Sequence, residues 1–275
     1  MPAFWTARST NHSRWPRLPP KPMTPQPPLT PRLALPTRLA GDGWAVVAAP
    51  TLAELCGRAA PAPWAAWSPL WQDLPPDAHL RDGGRYRRRR HGSYIVDGAG
   101  LTRVPQRAHW QPVEYNALHG GFERWFEPLP EAFGADPDWT ALLAGIGGVA
   151  SALRGVRPWY VEAHAFRIDT AGGIGRPTPE GAHRDGVDLV AVLLVARHNV
   201  RGGETRVFDA AGPQGVRFTL AEPWSALLLD DARVIHETTP IQPLDAQQPA
   251  WRDTLVLTYR SGGFQEPAAP AREPR

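Results

Sequence analysis

A chain of 275 residues with 42% hydrophobic and 21% charged residues is long enough to bury one large core and too apolar for a disordered protein. Its formal charge of +3 calls for no polyanionic partner, so nucleic acid is not expected. A membrane is not expected either, because no run of about 18 apolar residues exists to span one.

Residues 1–40 form a Pro-rich leader that is expected to be disordered. Its arginines, serines and threonines, with no acidic residue before Asp42, are also the composition of a transit peptide. Met23, the one other methionine, offers an alternative start of translation. Structure is expected from Gly43-Trp44-Ala45-Val46-Val47, a short strand, followed by a helix over 51–55 with Thr51 as its cap. Cys56 is the one cysteine. It can form no internal disulfide, reads as a small core residue and gives no sign of an oxidising compartment, so a cytoplasmic location is expected.

Residues 61–80 mix proline with Trp64, Trp67 and Trp71, whose spacing of three and four places them on one helix face packed into the core. The basic run from Arg85 to His91 fits either a phosphate-binding patch or an edge strand whose arginines pair with carboxylates, and the second reading is favoured. Ser93-Tyr94-Ile95-Val96 reads as a strand. Residues 139–153 read as a helix, with Asp138 as the cap and Gly145, Gly147 and Gly148 counting against it. Strands follow over 159–168, 188–196, 205–208, 216–219, 226–229, 233–238 and 254–259, separated by glycine turns. Short strands at this spacing predict a mainly β fold with flanking helices, a barrel or double-sheet jelly roll, in a single domain over 41–263, and residues 264–275 read as a disordered tail.

Within these strands His183-Arg184-Asp185 and, much later, His236 stand out. Side chains two apart on a strand share a face, so His183 and Asp185 can reach one metal and His236 can complete a triangle from a neighbouring strand. Two imidazoles and one carboxylate suit non-heme Fe(II) and leave three coordination positions, two for a chelating cosubstrate and one for dioxygen. A lone H-x-D is a weak signal. Gly181, Gly186, the apolar run behind them and the Asp230-Asp231 turn leading to His236 strengthen it. Arg252 and Thr254 share a face at the start of the last strand, where a guanidinium and a hydroxyl suit the distal carboxylate of 2-oxoglutarate.

These segments resemble the 2-oxoglutarate/Fe(II) dioxygenase superfamily, with its H-x-D…H triad and R-x-S/T clamp. More closely they resemble the bacterial family that hydroxylates free aliphatic L-amino acids such as isoleucine. The resemblance covers roughly residues 84–262. It is carried by Glu162–Arg167, His183–Asp188, Arg197–Thr205, Leu229–His236 and Arg252–Tyr259, with Tyr115-Asn116 and Arg124–Leu129 upstream. It implies a double-stranded β-helix and a catalytic iron on His183, Asp185 and His236. It also implies 2-oxoglutarate on Arg252 and Thr254, and hydroxylation of an unactivated C–H bond with release of succinate and carbon dioxide. A small-molecule amino-acid substrate would need a cation for its carboxylate, for which Arg167 is the leading candidate, with His164 and Glu162 beside it. Strand parity places Glu162, His164 and Phe166 on one face and Arg167 on the other. His198 sits beside a turn and is not expected to be a ligand, and His91, His109 and His119 have no evident partner. The competing readings are the same chemistry on a peptide, nucleotide or carrier-bound residue, and a metal-binding jelly roll without catalysis.

Overall fold

The computed structural model describes residues 25–59, 63–116 and 118–267. Among them twelve strands follow in chain order: β1 Trp44–Val47, β2 Arg87–Asp97, β3 Gly100–Arg103, β4 Trp159–Asp169, β5 Leu189–His198, β6 Val200–Gly202, β7 Thr205–Asp209, β8 Gly215–Phe218, β9 Ala226–Asp230, β10 Val234–Thr238, β11 Ile241–Pro243 and β12 Trp251–Arg260. Seven of them form an antiparallel sheet in the order β1-β9-β5-β12-β4-β2-β3. A smaller sheet, β10-β7-β8, and the pair β11-β6 lie against it. Val190, Leu194, Leu227 and Leu229 of the large sheet pack on Val207, Phe218 and Val234 between the two layers, which makes the fold the expected jelly roll, a double-stranded β-helix.

The large sheet is buried on both faces, and the two-residue period of its strands sorts their side chains. On β4, Val161, Ala163 and Ala165 enter the main apolar core, while Glu162, His164, Phe166 and Ile168 line a cavity between the sheets. On β12, Leu255, Leu257 and Tyr259 enter the core, while Arg252, Thr254, Val256 and Thr258 line the cavity. A register shift between β12 and β5 at Asp253/Thr254 leaves this alternation on β12 intact.

Helices α1 (Leu35–Asp42), α2 (Ala49–Leu55), α3 (Glu131–Ala135) and α4 (Pro137–Arg154) cover the core face. Trp64, Trp67 and Trp71 join them from a 3-10 helix over Pro63–Asp73 and pack on Trp224, which contacts all three rings. Gly145 and Gly147, unfavourable for a helix, are there for contact. A Cβ on Gly145 would lie 2.7 Å from the Leu55 carbonyl, and one on Gly147 would press on Val96 at 3.1 Å. No helix among the described residues is long and apolar enough to cross a membrane.

Several expectations are corrected. The leader ends before residue 40, because α1 lies inside it and buries Leu35 and Leu39. Residues 1–24, including Met23, lie outside the described residues, as does the tail beyond 267. The start of that tail is ordered: Gln265 is buried and its amide donates to the carbonyls of Asp185 and Gly186. Helix α2 begins before Thr51, at Ala49, with Pro50 in its first turn and no side-chain cap.

Helix α4 is capped by Asp136 rather than Asp138. The Asp136 carboxylate accepts from the Asp138 amide at 2.8 Å and, on its other oxygen, from the Trp67 indole at 2.8 Å. Asp138 instead pairs with Arg58 at 2.6 Å, with both side chains about one-third exposed. Asp136→Ala is therefore expected to cost about 1–2 kcal/mol, and Asp138→Ala under about 1 kcal/mol. Urea unfolding of both variants checks this, and the reverse order would contradict the assignment of the cap.

Candidate metal centre

His236 sits in the middle of β10, paired with Val207 of β7 on one side. On its other side it meets His183 through reciprocal backbone hydrogen bonds, His183 N–H to His236 O at 3.0 Å and His236 N–H to His183 O at 2.9 Å. Directly opposed antiparallel residues present their side chains on the same face, and the two imidazole centroids lie 4.6 Å apart.

The strand expected to carry both His183 and Asp185 is absent. His183 forms an isolated bridge and the chain then turns through Gly186, at φ +75°. The Asp231 carboxylate takes the amides of Asp185 (3.0 Å), Gly186 (2.7 Å) and Val187 (3.1 Å), which removes them from any strand ladder. The turn still delivers Asp185 to the histidines, with its oxygens 3.8 Å from His183 Nε2 and 3.9 Å from His236 Nε2. His183 Nδ1 donates to the Gly181 carbonyl at 2.9 Å, which leaves Nε2 with a free lone pair. Gln111 donates to Asp185 Oδ1 at 3.1 Å.

The electrostatics of this cluster suit a cation. Burial, reinforced by neighbouring His183, pushes His236 down to about 3, so it is a neutral donor. Burial raises Asp185 above the usual carboxylate range. Burial opposes protonation of His183, but the carboxylates of Asp185 and Glu180 outweigh it and raise its pKa. Three ligand atoms within 4.8 Å of one another, two nitrogens and one oxygen, fit a first-row divalent metal.

Arg252 and Thr254 line the same cavity, of about 130 Å³. Arg252 is 3% exposed, and its Nε and Nη2 have no hydrogen-bond partner. Burial, with Arg197 nearby, lowers its pKa to about 9, which still leaves it protonated at neutral pH. A buried guanidinium without a counter-charge is unfavourable unless a ligand pairs with it, and a carboxylate matches its fork.

Arg167 is not at the site. It makes a two-pronged pair with Asp253 (2.8 and 2.7 Å) on the opposite face of the sheet, as strand parity requires. Glu162 and His164 do line the cavity, but Glu162 is already engaged. It accepts from His91 (3.2 Å), His109 (3.1 Å) and Arg107 (3.3 Å), and although burial alone would raise its pKa, the two histidines hold it well below the usual range. His91, His109, Glu162 and His164 also bring their ligand atoms within 4.8 Å of one another. Arg89, 2.8 Å from His164 Nδ1, and Arg107 bring positive charge to that group, which disfavours a cation there. His198 stacks on Trp251, as expected for a residue that is not a ligand.

In the basic run, Arg88 and Arg90 point outward to Asp169 and Glu127. Arg87 and Arg89 point inward to Asp77 and line the cavity. That inward pair was legible as strand alternation. Arg124, Gln111, Asn116, Glu180 and Gln265 also line the cavity, but they come from loops whose sequence gives no period to read.

A family model described as 2OG-Fe dioxygenase matches residues 68–258. The crystal structure of a bsmA homolog from Methylobium petroleophilum PM1 is 57% identical, covers 87% of this chain and 97% of its own, and superposes with a TM-score of 0.82. Two more distant structures share the fold. IDO from Bacillus thuringiensis is 17% identical, with 86% and 100% of the two chains covered and a TM-score of 0.64. The Fe(II)/α-ketoglutarate-dependent dioxygenase TqaL is 20% identical, with 86% and 90% covered and a TM-score of 0.62. No curated protein matches the chain.

Asp231 holds the turn that presents Asp185, so Asp231→Ala is expected to weaken Fe(II) binding on the order of 10–100-fold. Equilibrium dialysis of the metal checks this, and unchanged affinity would contradict the role given to Asp231.

Proposed function

The chain belongs to the 2OG-Fe dioxygenase family, oxygenases that use Fe(II), 2-oxoglutarate and dioxygen, and we propose that it hydroxylates an unactivated C–H bond of a free aliphatic L-amino acid. In this reading His183, Asp185 and His236 hold the iron, and Arg252 and Thr254 hold the far carboxylate of 2-oxoglutarate. Bound there, iron and cosubstrate supply the oxidation, in which 2-oxoglutarate becomes succinate and carbon dioxide while one oxygen atom enters the substrate.

The observation that carries this assignment is the pairing, in one cavity, of the two-histidine–carboxylate triangle with an unpartnered buried guanidinium on β12. A metal-binding jelly roll without catalysis would have no use for Arg252 in that state. The remaining residues have defined tasks. Gln111 and the Gly181 carbonyl fix the rotamers of Asp185 and His183. Gln265 ties the C-terminal segment over the Asp185 turn and helps to close the cavity. Phe166, Val187, Val192 and Val256 supply apolar walls suited to an aliphatic side chain. The basic run, which would have favoured a nucleotide or peptide, presents no free outward row of arginines, because Arg88 and Arg90 are paired with carboxylates.

Succinate release from 2-oxoglutarate, measured over the free L-amino acids, tests the proposal. At least one aliphatic member is expected to stimulate it. His183→Ala is expected to abolish it. Arg252→Ala is expected to raise the KM for 2-oxoglutarate in line with the loss of a buried charge pair worth about 2–5 kcal/mol. A 2-oxoglutarate KM that ignores Arg252 would contradict the clamp, and amino acids that stimulate no succinate release would contradict the substrate class.

A further inference from the structure

The cavity holds one more unpaired buried cation than the iron and cosubstrate require. Arg124 is 2% exposed, and its Nη2 donates to the neutral Gln111 side chain at 2.7 Å. Its Nε has no partner, and among the described residues no carboxylate lies within 4.0 Å of it. Beside it in the cavity wall stand Arg87 and Arg89, 6% and 3% exposed, which share the single carboxylate of Asp77 at 2.7 and 3.7 Å. Arg87 Nη2 and Arg89 Nε are also without partners.

Glu162 does not neutralise this group, since both its oxygens are taken by His91, His109 and Arg107, and Glu180, the other nearby carboxylate of the cavity wall, acts on Arg124 only from beyond 4.0 Å and forms no ion pair with it. Nor does the cosubstrate. Its far carboxylate is assigned to Arg252 and its near end to the metal held by His183, Asp185 and His236. Burying an uncompensated guanidinium is costly, and such a group becomes stable when an anion pairs with it.

We propose that Arg124, supported by Arg89 and Arg87, forms a second anion subsite that grips a carboxylate of the substrate. The inference rests on the oxygenase reading above and specifies its substrate. The molecule hydroxylated must carry a free acid group, and Arg124 takes the role that strand parity denies to Arg167. The subsite is coupled to the metal through one side chain. Gln111 accepts from Arg124 with its carbonyl and donates to Asp185 with its amide, so an acid held by Arg124 lies next to the iron ligands. Asn116 donates to the same Gln111 oxygen at 3.3 Å and holds that side chain in place.

The test uses the full chain loaded with Fe(II) and 2-oxoglutarate. The probes are the twenty free L-amino acids and their carboxamides, which keep the side chain and lose the charge. Succinate release is followed in air, and the visible iron–2-oxoglutarate charge-transfer band is followed without oxygen. Every stimulating compound is expected to be an acid, with its amide weaker by about 100-fold in kcat/KM. Arg124→Gln should raise the KM for that acid by a similar factor while the KM for 2-oxoglutarate and the charge-transfer band persist, and Arg124→Lys should recover part of the loss. Amides as effective as acids would overturn the subsite. So would Arg124→Gln raising both KM values together, or a wild-type enzyme with its band formed that responds to no acid. A wild-type protein that forms no band at all would remove the oxygenase reading, and the subsite with it.

Discussion

Adjacent side chains on β4 and β12 must point to opposite faces of the large sheet, and both faces are covered, one by helices and one by the small sheet. This constraint places the chemical groups that β4 and β12 contribute to the cavity. It sends Val161, Ala163, Leu255 and Leu257 into the core and brings Glu162, His164, Arg252 and Thr254 together in the cavity. The same rule puts Arg167 and Asp253 on the core-side face, where they pair with each other. A one-residue slip of either strand would exchange these sets, burying charges against α4 and emptying the site, so apolar packing on one face fixes the register of the chemistry on the other.

The second determinant is charge left uncompensated. A folded chain avoids burying an unpaired cation, yet Arg252 and Arg124 are both buried without a carboxylate partner, and the Asp185–Asp231 carboxylates crowd together behind the two histidines. The chemistry of these groups suits ligands of opposite charge, a divalent cation for the histidines and Asp185 and anions for the arginines. The protein meets the cost of holding such groups with rigid support. Asp231 gathers three amides, Gln111 bridges Arg124 to Asp185, and Trp71 anchors the β4 and β12 strands by donating to the carbonyls of Phe166 and Thr254.

Much of this was legible in the sequence because strands and ligand sets have short periods. The alternation of β4, the arginine pairs within Arg87–Arg90 and the shared face of Arg252 and Thr254 could be read from spacing, whereas the strand expected to carry both His183 and Asp185 is absent and the grouping of these two with His236 was implied by the resemblance. What could not be read lay where backbone turns replace periodic structure. The turn at Asp185 depends on the distant carboxylate of Asp231. The cap of α4 is an exception: Asp136 precedes Pro137 at the first helical position, a start signal present in the local sequence, and its carboxylate also accepts from the Trp67 indole. Arg124 and Gln111 line the cavity from an irregular segment in which His109 bridges to Arg124, and no strand or helix period in their local sequence marks them as inward. Helix α1 is not legible for a separate reason: it follows a proline-rich run, and its two buried leucines are a weak signal beside that composition.

The central claim is that one cavity holds iron on His183, Asp185 and His236 and 2-oxoglutarate on Arg252. Metal-free protein titrated without oxygen with Fe(II) and then 2-oxoglutarate tests it directly. The account predicts a visible charge-transfer band that is lost in His183→Ala and needs far more 2-oxoglutarate in Arg252→Ala. Folded, iron-loaded wild-type protein that develops no band would contradict it.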